Sequence, residues 1–206
     1  MTVTEYLTSE RAAFERSEYI DGEVYLMPGE SGAHADISVN LIGMLHSQLK
    51  GKKCRARAKE TKVKTGGPSP KAGANSMKGM FSYPDILVVC GEPKYHDKQK
   101  DVVLNPKVVI EVLSKSTEKF NCEGKFMRYR MFNETLSDYI LVAHDKPMVE
   151  RYVRQDDNSW KIYTHIGLDA VCAIDSIECT LPLLDIYDRV EFTKEGLAFL
   201  REIAGE

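Results

Sequence analysis

The sequence predicts an α/β (α+β) sandwich in which helices cover a central mixed β-sheet, and three observations carry that expectation. Residues 83–90 and 108–113 are nearly continuous hydrophobic runs, as central strands buried on both faces are. Ile37, Leu41, Met44, Leu45 and Leu49 recur at helical spacing and predict a covering helix over 31–49. Asp21-Gly22, between Tyr19-Ile20 and Val24-Tyr25, is a two-residue turn signal that predicts a hairpin over 18–27.

The other elements follow in chain order. Residues 4–16 read as a short helix with Tyr6, Leu7 and Phe14 as core contacts. Ser31 is the expected N-cap of the 31–49 helix. Residues 50–64 read as one strand, with Arg55, Arg57 and Lys59 on a cationic face and Cys54, Ala56, Ala58 and Glu60 on the other. Residues 65–80 hold Gly66, Gly67, Pro68, Pro70, Gly73 and Gly79 and are expected to form a mobile loop. A helix over 114–132 follows, capped by Ser114 or Ser116, with Glu118 in its first turn. Strands are expected at 137–143 and 148–154, around His144-Asp145-Lys146-Pro147, and again at 160–165 and 170–174. Residues 183–187 and 193–203 read as helical, and the length suits one domain over 1–206.

A content of 43% hydrophobic and 29% charged residues fits an ordinary globular chain rather than a disordered or fibrous one. A net charge of -3 excludes a uniformly cationic surface, so any nucleic-acid contact needs a local basic patch. The 50–64 stretch can be that patch, or an edge strand guarded by charge. Glu5, Glu10, Arg11, Glu15 and Arg16 break up any signal-peptide core, and no apolar run approaches the ~18 residues of a membrane span. Cys54, Cys90, Cys122, Cys172 and Cys179 are odd in number and form no CxxC pair, which favours reduced thiols and a cytoplasmic location.

Glu111 interrupts an otherwise apolar strand, between Val108-Val109-Ile110 and Val112-Leu113. Removing a carboxylate from water costs roughly several kcal/mol unless it is paired or binds a metal. Glu111 is therefore kept either for a buried salt bridge or for function. Asp85 stands at the mouth of the other hydrophobic strand, after Pro84, which cannot donate to a ladder and suits a strand start. Alone it reads as a strand-end cap. Two acidic residues on adjacent central strands, however, make a site for a hard divalent cation. Such an ion neutralises phosphate charge and lowers the pKa of water. His34, near a helix start, is either placed to contact phosphate or assist proton transfer, or simply exposed. Glu18 and Glu60 share strand faces with small or apolar residues, and either complete the metal site or pair with a nearby Lys or Arg.

Tyr83-Pro84-Asp85, Asn105-Pro106-Lys107 leading into Val109-Ile110-Glu111-Val112-Leu113-Ser114, Thr117-Glu118, Lys125-Phe126 and Tyr129-Arg130 resemble the bacterial Uma-type family of restriction-endonuclease-like proteins, within the PD-(D/E)xK nuclease superfamily. The likeness runs from the 18–23 hairpin and His34 to the strand at 138–142. It implies a restriction-endonuclease-like sandwich, with Mg²⁺ or Mn²⁺ held by Asp85, Glu111 and the carbonyl of Val112. The superfamily lysine should stand two residues after the glutamate, where this chain has Leu113. The resemblance suggests that Lys125 takes over, polarising the attacking water or stabilising the pentacovalent phosphate.

The activity implied is endonuclease hydrolysis of DNA phosphodiester bonds, double-stranded DNA foremost, with catalytic roles for Asp85, Glu111, Lys125 and His34. Lys115 and Lys119 would lie near the active edge. A homodimer would serve the cutting of both strands. Leu113 favours an alternative, a nuclease fold turned into a nucleic-acid-binding or regulatory module. The sequence holds no P-loop, dinucleotide fingerprint or Ser-His-Asp order with local context.

Overall fold

The computed structural model describes residues 1–27, 29–66, 79–114, 118 and 120–204. Residues 67–78 of the expected loop lie outside that set, as do Lys115, Ser116, Thr117 and Lys119. The chain begins with α1 (Val3–Glu10), the hairpin β1 (Ser17–Ile20) and β2 (Glu23–Leu26), then α2 (Gly32–Leu49). Next come β3 (Cys54–Ala58), β4 (Lys62–Thr65), β5 (Met80–Ser82), β6 (Ile86–Cys90), β7 (Val102–Val103) and β8 (Val108–Val112). A π-helical segment, Phe120–Lys125, leads into α3 (Phe126–Phe132), β9 (Asp138–Val142), β10 (Met148–Arg154) and β11 (Trp160–Ile166). The chain closes with β12 (Val171–Ile174), β13 (Cys179–Pro182), α4 (Leu183–Ile186) and α5 (Lys194–Ala204). No helix among the described residues is long and apolar enough to cross a membrane.

The central sheet runs β11-β10-β9-β8-β6-β3. It is mixed, because β8 and β9 are parallel while its other pairs are antiparallel. On one face Ile86, Val88, Val108, Ile110 and Val112 meet the buried stripe of α2, Ile37, Leu41, Leu45 and Leu49. On the other, Leu87, Val89, Val109 and Leu113 meet Phe126 and Tyr129 of α3. Helices thus cover both faces of a mixed sheet. A second sheet, β2-β1-β5-β4-β7, packs Val63, Met80 and Val103 against that second core. It was not anticipated, since β5 and β7 are two or three residues long and depend on non-local partners.

Local chemistry explains the ends of several elements. Thr2 and Glu5 form a capping box at the start of α1. That helix stops at Glu10, short of the expected 16, and Phe14 is fully exposed rather than in the core. Asp21 and Gly22 both take positive φ, 54° and 106°, as a tight type I′ hairpin turn requires. The 50–64 stretch is two strands in different sheets, not one. The Thr61 N–H donates to the Ala58 carbonyl to reverse the chain, and Lys62 is drawn to Asp101 through both its amide and its ammonium.

Antiparallel pairing of β3 with β6 sets Cys54 directly opposite Cys90, and the two are joined in a disulfide. The expectation of five reduced thiols is corrected for this pair, which only the strand register brings together. Cys122, Cys172 and Cys179 are free.

Candidate active site

Strand register sets the two central carboxylates. β6 and β8 pair Ile86 with Ile110 and Leu87 with Val109. One step further along the same register, Asp85 stands opposite Glu111, where β6 begins and β8 ends. Both are buried, Asp85 8% and Glu111 2% exposed. Asp85 Oδ2 accepts the Val112 N–H at 2.7 Å and lies 3.3 Å from His34 Nε2.

Lys125 ends the π-helical turn. Its Nζ lies 2.9 Å from Glu18 Oε1 and 3.3 and 3.5 Å from the two oxygens of Glu111. Gly124 makes room there, because a Cβ would sit 2.7 Å from the Phe120 ring and force that ring to shift. Glu18 comes from β1, and its Oε1 also accepts the Tyr83 N–H at 3.1 Å. His34 is the third residue of α2, its amide held by the Ser31 N-cap and its side chain buried. Val112 lines the cavity and makes a backbone hydrogen bond with His34.

Asp85, Glu111, Lys125, His34, Val112 and Glu18 thus line a single cavity of about 240 Å³. Glu60 does not. β3 ends at Ala58, so Glu60 swings into the turn beyond it, three-quarters exposed and ion-paired with Arg16. Glu30 was not singled out from the sequence. It precedes α2, ion-pairs with Lys59, and brings Oε2 within 3.5 Å of His34 Nδ1. Its one signal was the i, i+4 spacing to His34. Phe120, Asn121 and His144 are also part of the wall.

The electrostatics follow from burial and from an excess of acids. Burial pushes the Glu111 carboxyl up to about 8, with Asp85 and Glu18 adding to the rise and Lys125 opposing it. Burial pulls Lys125 down, but Glu111 and Glu18 outweigh it and hold the ammonium charged. His34 is likewise raised, since its bond to Asp85 and the Asp85 charge overcome the burial that would lower it. The donor set is rich in carboxylate oxygens and edged by the strand-end backbone of Val112, which is what a hard divalent cation takes.

A mixed sheet covered by helices, with an aspartate and a glutamate facing each other across adjacent strands and a lysine above them, defines a restriction-endonuclease-like protein. The chain belongs to the Uma2 family, described as "Putative restriction endonuclease", whose sequence model matches residues 3–177. The "Uncharacterized protein slr1290" of Synechocystis sp. (strain ATCC 27184 / PCC 6803 / Kazusa) is 33% identical over 195 residues, covering 95% of this chain and 92% of that protein. The "Uncharacterized protein sll1609" of the same organism is 30% identical over 170 residues, covering 82% and 90%. The crystal structure of "a putative nuclease belonging to DUF820" from Anabaena variabilis ATCC 29413 shares the fold, with a TM-score of 0.71 at 20% identity, covering 93% of this chain and 99% of that one.

Proposed function

We propose that this protein is a metal-dependent endonuclease that hydrolyses phosphodiester bonds of DNA, double-stranded DNA foremost. The observation that carries the reading is the surplus of buried negative charge. Glu18, Asp85 and Glu111 converge on one cavity, and Lys125 is shared between two of them. Burying carboxylates costs roughly several kcal/mol unless positive charge offsets it, and three of them around one lysine leave room for a further cation. Asp85, Glu111 and the Val112 carbonyl are the proposed ligands of Mg²⁺ or Mn²⁺. When bound, such an ion supplies charge to neutralise phosphate and lowers the pKa of a water nucleophile.

The chain's own residues do the rest. Glu111 and Glu18 fix the Lys125 ammonium at the cavity wall, where it can donate to phosphate oxygens as negative charge builds on them. Leu113, in the usual lysine position, is buried in the apolar cluster with Phe126 and Tyr129, so the helix supplies the ammonium that the strand lacks. His34 adds a second donor at the outer wall. Arg55, Arg57 and Lys59 follow β3 at the sheet edge, one strand from Asp85, and form a basic strip for the DNA backbone.

The test incubates purified protein with supercoiled plasmid and with single-stranded DNA, in Mg²⁺, Mn²⁺ or EDTA. Nicking that needs the ion and disappears in Asp85→Ala is expected. Cleavage that survives both EDTA and Asp85→Ala overturns the reading. DNA binding without cleavage by any ion would favour the binding-module alternative.

A further inference from the structure

A second group of donors stands at the outer end of the same cavity. Glu30, His34 and Asp85 present a carboxylate oxygen, a ring nitrogen and a carboxylate oxygen, all within 4.8 Å of one another. Ligands about 2.0–2.3 Å from one ion stand roughly 3–4.5 Å apart, so small rotations close this set on a cation.

His34 is the informative member. Its side chain is 9% exposed, and among the described residues its Nδ1 has no hydrogen-bond partner. That nitrogen faces Glu30 Oε2 at 3.5 Å, beyond good hydrogen-bond length, while Nε2 faces Asp85. An unsatisfied buried nitrogen costs about 1–3 kcal/mol. The other oxygen of Glu30 is ion-paired with Lys59, which orients the carboxylate as outer-shell partners orient metal ligands.

We infer that Glu30, His34 and Asp85 hold a divalent cation of borderline type (Mn²⁺, Co²⁺ or Zn²⁺, not Mg²⁺) beside the Asp85–Glu111 position, with Asp85 common to both. Imidazole suits first-row transition metals, whereas Mg²⁺ takes oxygen ligands and sheds water reluctantly. The inference rests on the Asp85–Glu111 ion position proposed above and adds the nitrogen donor that selects among ions.

The test titrates the purified protein with Co²⁺, read by visible absorption and by the hyperfine-shifted imidazole proton in NMR. Two Co²⁺ per chain and a shifted imidazole signal are expected in the parent. His34→Ala and Glu30→Gln each lose one ion and that signal, and Glu111→Gln loses the other ion while keeping the signal. Glu30 stands at the cavity mouth, so its variant carries the test without the folding risk of a buried site. Mg²⁺ should displace only the ion that is insensitive to His34. A cobalt spectrum and stoichiometry unchanged in His34→Ala and Glu30→Gln overturn the inference and leave the nuclease reading standing. A His34-dependent signal in a protein that cleaves no DNA overturns the nuclease reading alone.

Discussion

Glu111 and Asp138 are both buried carboxylates, on the parallel neighbours β8 and β9 of one sheet, yet their surroundings differ in kind. Asp138 is fully buried and closed off. Arg151 Nε donates to one oxygen at 2.7 Å and Ser176 Oγ to the other, so each lone-pair face has an owner. Among the described residues Glu111 has only Lys125, which Glu18 holds more tightly, and it borders a cavity. Burial of charge alone therefore does not mark a functional site. A shared counter-ion beside open space is the feature that the proposed cation would complete.

The comparison breaks most sharply in activity. Glu111→Gln should cut cleavage by about 10³-fold, roughly 4 kcal/mol of barrier, measured by plasmid nicking. Its metal-free unfolding free energy should hold or rise, since a carboxyl that burial already drives toward its neutral form gives way to a neutral amide. Asp138→Asn should do the reverse. It should lose about 3 kcal/mol in denaturant unfolding, because it leaves Arg151 short of its buried partner, while cleavage per folded molecule persists. Equal effects of the two changes on activity would erase the difference between the two carboxylates.

Lys125→Met sharpens it. Without metal, Glu18 and Glu111 lose their common cation and the melting temperature should fall. Mn²⁺ at about 100 times its Kd should then restore about 2.7 kcal/mol, more than the parent gains from the same ion concentration. Calorimetry showing no Mn²⁺ rescue would mean that the carboxylates do not jointly hold the ion.

The smallest effect is a control on a third, partly buried ion pair away from the cavity. Arg11 holds the Asp101 carboxyl down to about 2 from its ordinary 3.8, against burial and with help from Lys62. A depressed carboxyl stabilises the fold above its unfolded pKa and loses that contribution as pH falls through its folded pKa. Asp101→Asn should thus melt lower than the parent above pH 4, and the gap should close between about pH 4 and pH 2. Thermal melts across that window check it, and the cavity should be indifferent to the change.

Glu111 was legible because an acid inside an apolar strand stands out against its neighbours, and Asp85, a strand-end acid by itself, was read through its pairing with Glu111 on the adjacent strand. Asp138 was not, for it starts a strand and looks like any strand-end acid. Lys125 sits in a segment rich in lysine and came into view through family resemblance, since nothing local distinguishes it. The site missed Glu30 because a carboxylate after Pro28-Gly29 reads as a solvated loop residue, and only the fold returns it to His34. Glu60 was misplaced because the reversal at 59–61 has no Gly or Pro to announce it. The central sheet was readable from periodicity, whereas β5 and β7 owe their existence to pairing with distant residues rather than to their own sequence.

The π-helical turn before α3 has a consequence for how such proteins can change. An α-helix advances about 100° per residue and a π-helix roughly 80°, so over the six residues Phe120–Lys125 the two pitches diverge by about a third of a turn. Because the core seats Phe126 and Tyr129, and with them the adjoining Lys125, the winding decides how the start of the segment meets the cavity. A one-residue deletion there would leave Lys125 beside Phe126 and turn Phe120 and Asn121, which line the cavity, in other directions. Descent can thus reshape this wall through an insertion or deletion in a helix while the strands carrying Asp85 and Glu111 keep their places.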